Sequence, residues 1–436
     1  MIQKAGNYRW VVCALIFFAT TINYLDRAVI SVLKGTLEVQ YKWTETDYSN
    51  IVISFQLAYA LGMTVAGRFV DQVGTKIGYG IIIVLWSIAS SSHALVSSAA
   101  GFMLARAGLG LTEAGNFPAA IKSIAEWFPK RERAFATGLF NSGTNIGAIL
   151  APVMVPFVSL RWGWQWAFII SGVLGLMWLV PWIIFYEVPA RQKRLRKSEF
   201  DYITESDADS IAAIVTIDKK NNMAGWSNLL TLRQTWAFIV GKLLTDPIWW
   251  FYLFWLPSFL KSEYHLDGAA ISLPVALVYT ISVLGSIFGG WLPLKLISKG
   301  WPVFKSRKIS MLIFACCALP VIFTQYIGEI NVWLCIIIIG IAAAANQAWS
   351  ANMFTTVSDN FSQKTVGSVV GIGGMAGALG GIAMSWLAGR LLDHFKSLGD
   401  IDTGYFVMFC ICGFSYLTAW VIIHFLNPRP TIIKVV

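Results

Sequence analysis

Charge is what this sequence lacks. Only 13% of its 436 residues are Asp, Glu, Lys or Arg, and 56% are hydrophobic. Mean hydropathy is +0.64. A soluble chain of this length needs far more charge to cover its surface, so an integral membrane protein is indicated. Histidine is scarce, with four residues. His93, His265 and His394 fall at or near expected loops, and no nucleophile–histidine arrangement is visible. An enzyme is therefore not expected. The six cysteines, Cys13, Cys316, Cys317, Cys335, Cys410 and Cys412, all fall in apolar runs. Their spacing matches neither a metal site nor a disulfide framework. They read as small packed hydrophobes, and no metal or cofactor is expected. The net charge of +10 does not point to nucleic acid, because the basic residues are scattered through short loops. No small-residue cleavage site follows the first apolar run, so it reads as a span and not as a removed signal peptide.

What is abundant is apolar windows of spanning length. A membrane helix needs about 20 such residues. Twelve windows qualify: 10–33, 48–67, 77–97, 99–124, 136–158, 166–186, 236–260, 269–294, 309–327, 332–356, 367–389 and 403–426. Many carry Gly, Ser or Thr and so read as helices packed on one another. Alternating them from an inside N-terminus places 24 of the 33 Lys and Arg in inside segments and 6 outside. That asymmetry predicts both termini in the cytoplasm. The expected fold is all-α, with two six-helix bundles, residues 1–186 and 236–436. A polar cytoplasmic linker, 187–235, joins them and is expected to lie partly on the membrane surface.

The halves echo each other. "FPKRERAFATGLFNSGTNIGA" at 128–148 aligns without a gap onto "FSQKTVGSVVGIGGMAGALGG" at 361–381, at an offset of 233. Such self-similarity marks transporters built from parallel repeats, with substrate bound near the midplane between the halves. The glycines of 371–381 are not a nucleotide loop, since no strand precedes them. Gly373, Gly377 and Gly381 recur at every fourth residue and allow close helix contact.

Six ionisable residues lie inside spans: Asp26, Arg27, Arg106, Glu113, Lys242 and Asp246. Each costs roughly 2.5–3.5 kcal/mol to insert and is a functional candidate by default. Arg106 and Glu113 share one helix face but stand roughly 10 Å apart along the axis, too far for a direct pair. Asp26 and Arg27 diverge by about 100° around their helix. The simplest arrangement gathers all four around one cavity. Arg27 and Arg106 are then the carboxylate-binding candidates, and Asp26 and Glu113 the proton carriers. Protonating an acid frees an Arg to grip an anion, so proton and anion bind together. Lys242 and Asp246 are spaced for a local i, i+4 pair, with a gate or second anion contact as the alternative. Asp246 precedes Pro247, where a kink is expected.

At the repeat offset Glu113 maps to Asn346, Arg106 to Ile339 and Asn116 to Trp349. The first half is expected to handle charge. Asn346, Gln347 and Trp349 would offer hydrogen bonds and an aromatic face to a polyhydroxylated body. Tyr24, Gln56, Tyr59, Asn141 and Asn145 are polar candidates from the first half.

These residues resemble a known family. "GRFVDQVGTKIG" at 67–78 is similar to the loop signature of the major facilitator superfamily, with Gly67, Asp71, Gly74 and Lys76 matching. Gln72 and Thr75 replace basic residues of that signature. The resemblance implies a gating latch in which the acid faces a helix N-terminus of the other half. "NYLDR", "ARAGLGLTEAGNFPA" and "EWFPKRERAFATGLFNSGTNIGA" resemble the anion:cation symporter branch over essentially the whole chain. "GTKIGYG", "AFIISG" and "GIGGMAGALGG" are most like bacterial hexuronate transporters. The resemblance implies a monomeric, proton-coupled importer of a sugar acid in the bacterial inner membrane, with protons as coupling ion. Transport of another organic anion such as an aldonate, or export, is the alternative.

Overall fold

The computed structural model describes residues 6–43, 45–205, 213–217, 226–264 and 269–435. Linker residues 206–212 and 218–225, and His265, lie outside the described residues. Sixteen helices are present among the described residues. The first half holds α1 (Tyr8–Tyr41), α2 (Glu45–Val73), α3 (Thr75–Ser92), α4 (Ala99–Glu113), α5 (Asn116–Trp127), α6 (Lys130–Trp162) and α7 (Trp164–Phe185). The linker carries α8 (Lys197–Glu205), the strand β1 (Ala213–Ile217) and α9 (Trp226–Leu230). The second half holds α10 (Arg233–Tyr264), α11 (Ala269–Ser298), α12 (Val303–Ala318), α13 (Thr324–Ile330), α14 (Val332–Asn360), α15 (Val366–Ser397) and α16 (Ile401–Leu426). The tail strand β2 (Thr431–Val435) pairs in parallel with β1.

Counting α4 with α5, and α12 with α13, as single spans gives the twelve expected. Two windows read as unbroken are broken. In the fourth span Pro118 has no N–H for the carbonyl of Ala114, and Gly115 bonds back to Thr112 instead. The helix therefore ends at Glu113 and restarts at Asn116. In the ninth span Pro320 likewise cannot bond Cys316, and a 3-10 turn over Leu319–Phe323 intervenes. The kink expected at Pro247 does not end a helix, since α10 continues to Tyr264.

The repeat is visible at the contacts between halves. α2 packs on α15, and α6 on α11. Phe128 and Phe361, equivalent at the offset of 233, end α5 and α14 with the same extended backbone. Gly138 and Gly371, also equivalent, sit at the two cross-half contacts. A Cβ at Gly138 would collide with the Ser286 carbonyl on α11, and one at Gly371 with the Met63 carbonyl on α2. Small residues here let the halves meet backbone to backbone.

The start of α1 and the end of α16 lie on one face of this even-numbered bundle, called here the terminal face. The linker helix α8 docks on that face against protein. The buried Glu199 carboxylate accepts from the backbone N–H groups of Tyr8 and Arg9, both at 3.1 Å, and so caps α1. Arg9 also pairs with Glu199 at 3.0 Å and Glu132 at 2.7 Å.

Candidate functional site

A cavity lies between the halves, lined by α1, α2, α5 and α6 on one side and α10, α14 and α15 on the other. Its only first-half cation is Arg27, among the described residues. The Arg27 guanidinium carbon lies 4.4 Å from the Tyr59 ring centroid and 4.6 Å from that of Tyr24. Its Nε donates to Glu113 Oε2 at 2.7 Å. The Nη2 atom is buried and has no partner. Arg27 is thus a cation held between two aromatic rings, with one edge paired to an acid and one nitrogen unpartnered.

The break in the fourth span makes this possible. Glu113 is the last residue of α4 and is wholly buried, with Oε1 unpartnered. Arg106, seven residues earlier, is not on the cavity wall. Its Nη2 donates to the Arg27 carbonyl at 3.1 Å, and its guanidinium lies 4.9 Å from the Phe55 ring. It supports the backbone that carries Arg27. Asp26 is not on the wall either. It points from α1 toward α3, where Ser90 Oγ donates to Oδ1 at 2.9 Å, and Ser90 contacts Ser171 on α7 at 3.1 Å. The four charges therefore do not ring one cavity, because adjacent residues on α1 face different neighbours.

Tyr24, Tyr59, Asn346 and Gln347 line the cavity. Gln347 Oε1 accepts from Asn141 Nδ2 at 2.7 Å, a bond across the halves. Asn346 Nδ2 donates to Tyr416 Oη at 2.6 Å. Gln56 lies instead in a smaller adjoining cleft with Phe55 and Gly381, farther from the terminal face along α15. Asn145 and Trp349 are buried off both walls. Trp349 packs edge-on against Tyr416 at 5.6 Å. Lys242 and Asp246 pair at 2.6 Å and both line the main cavity.

The terminal face is closed. Asp71 accepts from the Gly367 and Ser368 backbone N–H groups at 3.1 and 2.6 Å, and from Ser368 Oγ at 2.7 Å. It thus caps α15 of the other half, and Lys122 Nζ holds it at 3.0 Å. Gly67 abuts the Gly367 backbone, and Gly74 opens α3 with a φ of 89°. Lys76 takes no part in the cross-half contact. It pairs with Glu187 at 2.9 Å and holds that carboxyl below the usual carboxylate range. A second latch was missed from sequence. Arg307 pairs with Asp359 at 2.5 Å and donates to the Lys130 carbonyl, while Arg133 donates to the Ser358 carbonyl. Asp359 is the repeat mate of buried Glu126, a signal that was available. Asp71→Asn is expected to remove charge-assisted bonds worth about 1.5–3 kcal/mol each. The open terminal face should gain at least about tenfold in population. Spin-label distances between α2 and α15 check this, and an unchanged distribution would refute it.

Comparisons with known proteins agree on the fold. Residues 16–385 match the Major Facilitator Superfamily. The chain is 32% identical over 434 residues to the hexuronate transporter of Escherichia coli (strain K12), covering 99% of this chain and 96% of that protein. It is 33% identical over 291 residues to the galacturonate transporter of Dickeya chrysanthemi, covering 67% of this chain and 83% of that one. A solved proton:xylose symporter superposes with a TM-score of 0.76 at 15% identity, over 97% of both chains. With its helices in two repeated halves around a cavity lined by polar and aromatic residues, the chain belongs to the Major Facilitator Superfamily, a class of membrane transporters and not of enzymes.

Proposed function

We propose that this protein is a proton-coupled symporter that imports a sugar-acid monoanion, a hexuronate such as glucuronate or galacturonate. The observation that carries it is Arg27 on the cavity wall, caged by Tyr24 and Tyr59 and paired with Glu113. The substrate carboxylate takes Arg27. Asn346, Gln347 and Asn141 offer donors and acceptors to its hydroxyls. Glu113 carries a proton, because its ionised form competes with substrate for the same guanidinium. The relatives named for hexuronate and galacturonate support the substrate class. With both termini in the cytoplasm of a bacterial inner membrane, the closed terminal face is the cytoplasmic one. The structure then faces outward, and the halves rock about the cavity during transport.

Purified protein in vesicles tests this. An imposed inward proton gradient should drive glucuronate or galacturonate accumulation, and no uptake of either would sink the proposal. If Asp26 and Glu113 each carry a proton, one net positive charge enters per turnover. Uptake then responds to voltage with about 2.3 kcal/mol per 100 mV. Voltage-insensitive uptake leaves one proton per monoanion.

A further inference from the structure

The acid–base pair on α10 lines the same cavity as Arg27 but takes no part in its carboxylate site. Its two members are not equally presented. The Lys242 side chain is 6% exposed and that of Asp246 is 25% exposed. Lys242 Nζ also sits 4.3 Å from the Phe354 ring centroid, which covers it. Both line the cavity, and the carboxylate is the more exposed of the two. α15 makes room for it, since a Cβ at Gly377 would collide with Asp246 Oδ2. An unpaired carboxylate would be costly here, and Lys242 compensates its charge.

An ionised carboxylate is an acceptor only. It takes hydroxyl donors and opposes a second carboxylate. We propose that Asp246, held by Lys242, makes the cavity prefer sugar monoacids over the corresponding diacids. This rests on the sugar-acid function proposed above. The carboxylate of a monoacid goes to Arg27, and hydroxyls at its other end donate to Asp246. A diacid of the same sugar brings a second negative charge to that end. Asp246 repels it, and Lys242 is already occupied.

The test is competitive binding of glucuronate and glucarate to the purified full chain near pH 7, where all these carboxylates are ionised in water. Wild type should bind glucuronate at least about tenfold more tightly than glucarate. In Asp246→Asn the amide keeps the size, removes the charge and frees Lys242 for an anion. The preference should then move toward glucarate by on the order of 10–100-fold, the scale of one close charge pair. Partial unfolding lowers both ligands' bound amounts equally and leaves the ratio unmoved. A ratio within about twofold of wild type in Asp246→Asn overturns the proposal, as does equal binding of both ligands by wild type. A wild type that binds no sugar monoacid overturns the transport function instead.

Discussion

Arg27→Lys should weaken sugar-acid binding by about 100-fold while the protein still folds. The Arg27 side chain is largely enclosed by Tyr24, Phe55 and Tyr59, with one edge on Glu113 and an unpartnered Nη2. A guanidinium offers parallel N–H groups to a carboxylate while keeping Nε on a second acid. An ammonium offers one compact charge that cannot serve both geometries. Losing one or two charge-assisted hydrogen bonds removes about 1.5–3 kcal/mol each. At 1.4 kcal/mol per decade that spans roughly ten- to ten-thousand-fold, with 100-fold near its centre. The charge itself stays, so Glu113 keeps a partner. Arg27→Ala would leave that acid buried and alone, which makes Lys the cleaner variant. Isothermal titration with glucuronate measures the effect. Affinity within about threefold of wild type would remove Arg27 from the carboxylate site. Arg106→Lys serves as the contrast, because Arg106 contacts the Arg27 carbonyl and not the cavity.

The fold and the site were legible in the sequence to different depths, for physical reasons. Hydropathy finds spans because lipid punishes exposed polar groups along a whole helix. It does not weigh single backbone N–H groups, so the breaks at Pro118 and Pro320 passed unseen although both prolines were in view. The small-residue contacts and the repeat were legible because Gly138 and Gly371 share an offset and a packing need. Individual side chains were harder. Arg27, Tyr24, Tyr59, Asn346 and Gln347 come together on one cavity, since polar residues in lipid-buried helices have few other places to face. Asp26 and Arg106 do not, because which neighbour a residue meets depends on how its helix is rotated, and composition does not carry that angle. The linker differs again. Glu199 is one of many charges in a polar stretch, and nothing in that pattern marks it as the buried cap of α1.

Glu113→Gln should abolish accumulation while leaving exchange. Glu113 has no exposed surface, and its Oε2 holds Arg27 Nε at 2.7 Å. The ionised acid and the substrate carboxylate want the same guanidinium, and a bound proton removes the acid from the contest. Gln has the same size and is permanently neutral, so it mimics the protonated state. Arg27 remains free for substrate at every pH, and counterflow between preloaded vesicles should continue. What disappears is the link to the gradient. One coupled proton stores 1.36 kcal/mol per pH unit, about tenfold accumulation. The Gln variant should only equilibrate substrate, and its binding should lose its dependence on pH. Asp26→Asn separates the two acids. Asp26 faces Ser90 off the cavity, so its loss leaves the competition at Arg27 untouched. Accumulation by Glu113→Gln against a gradient, with Asp26→Asn unable to accumulate, would move the obligatory proton to Asp26.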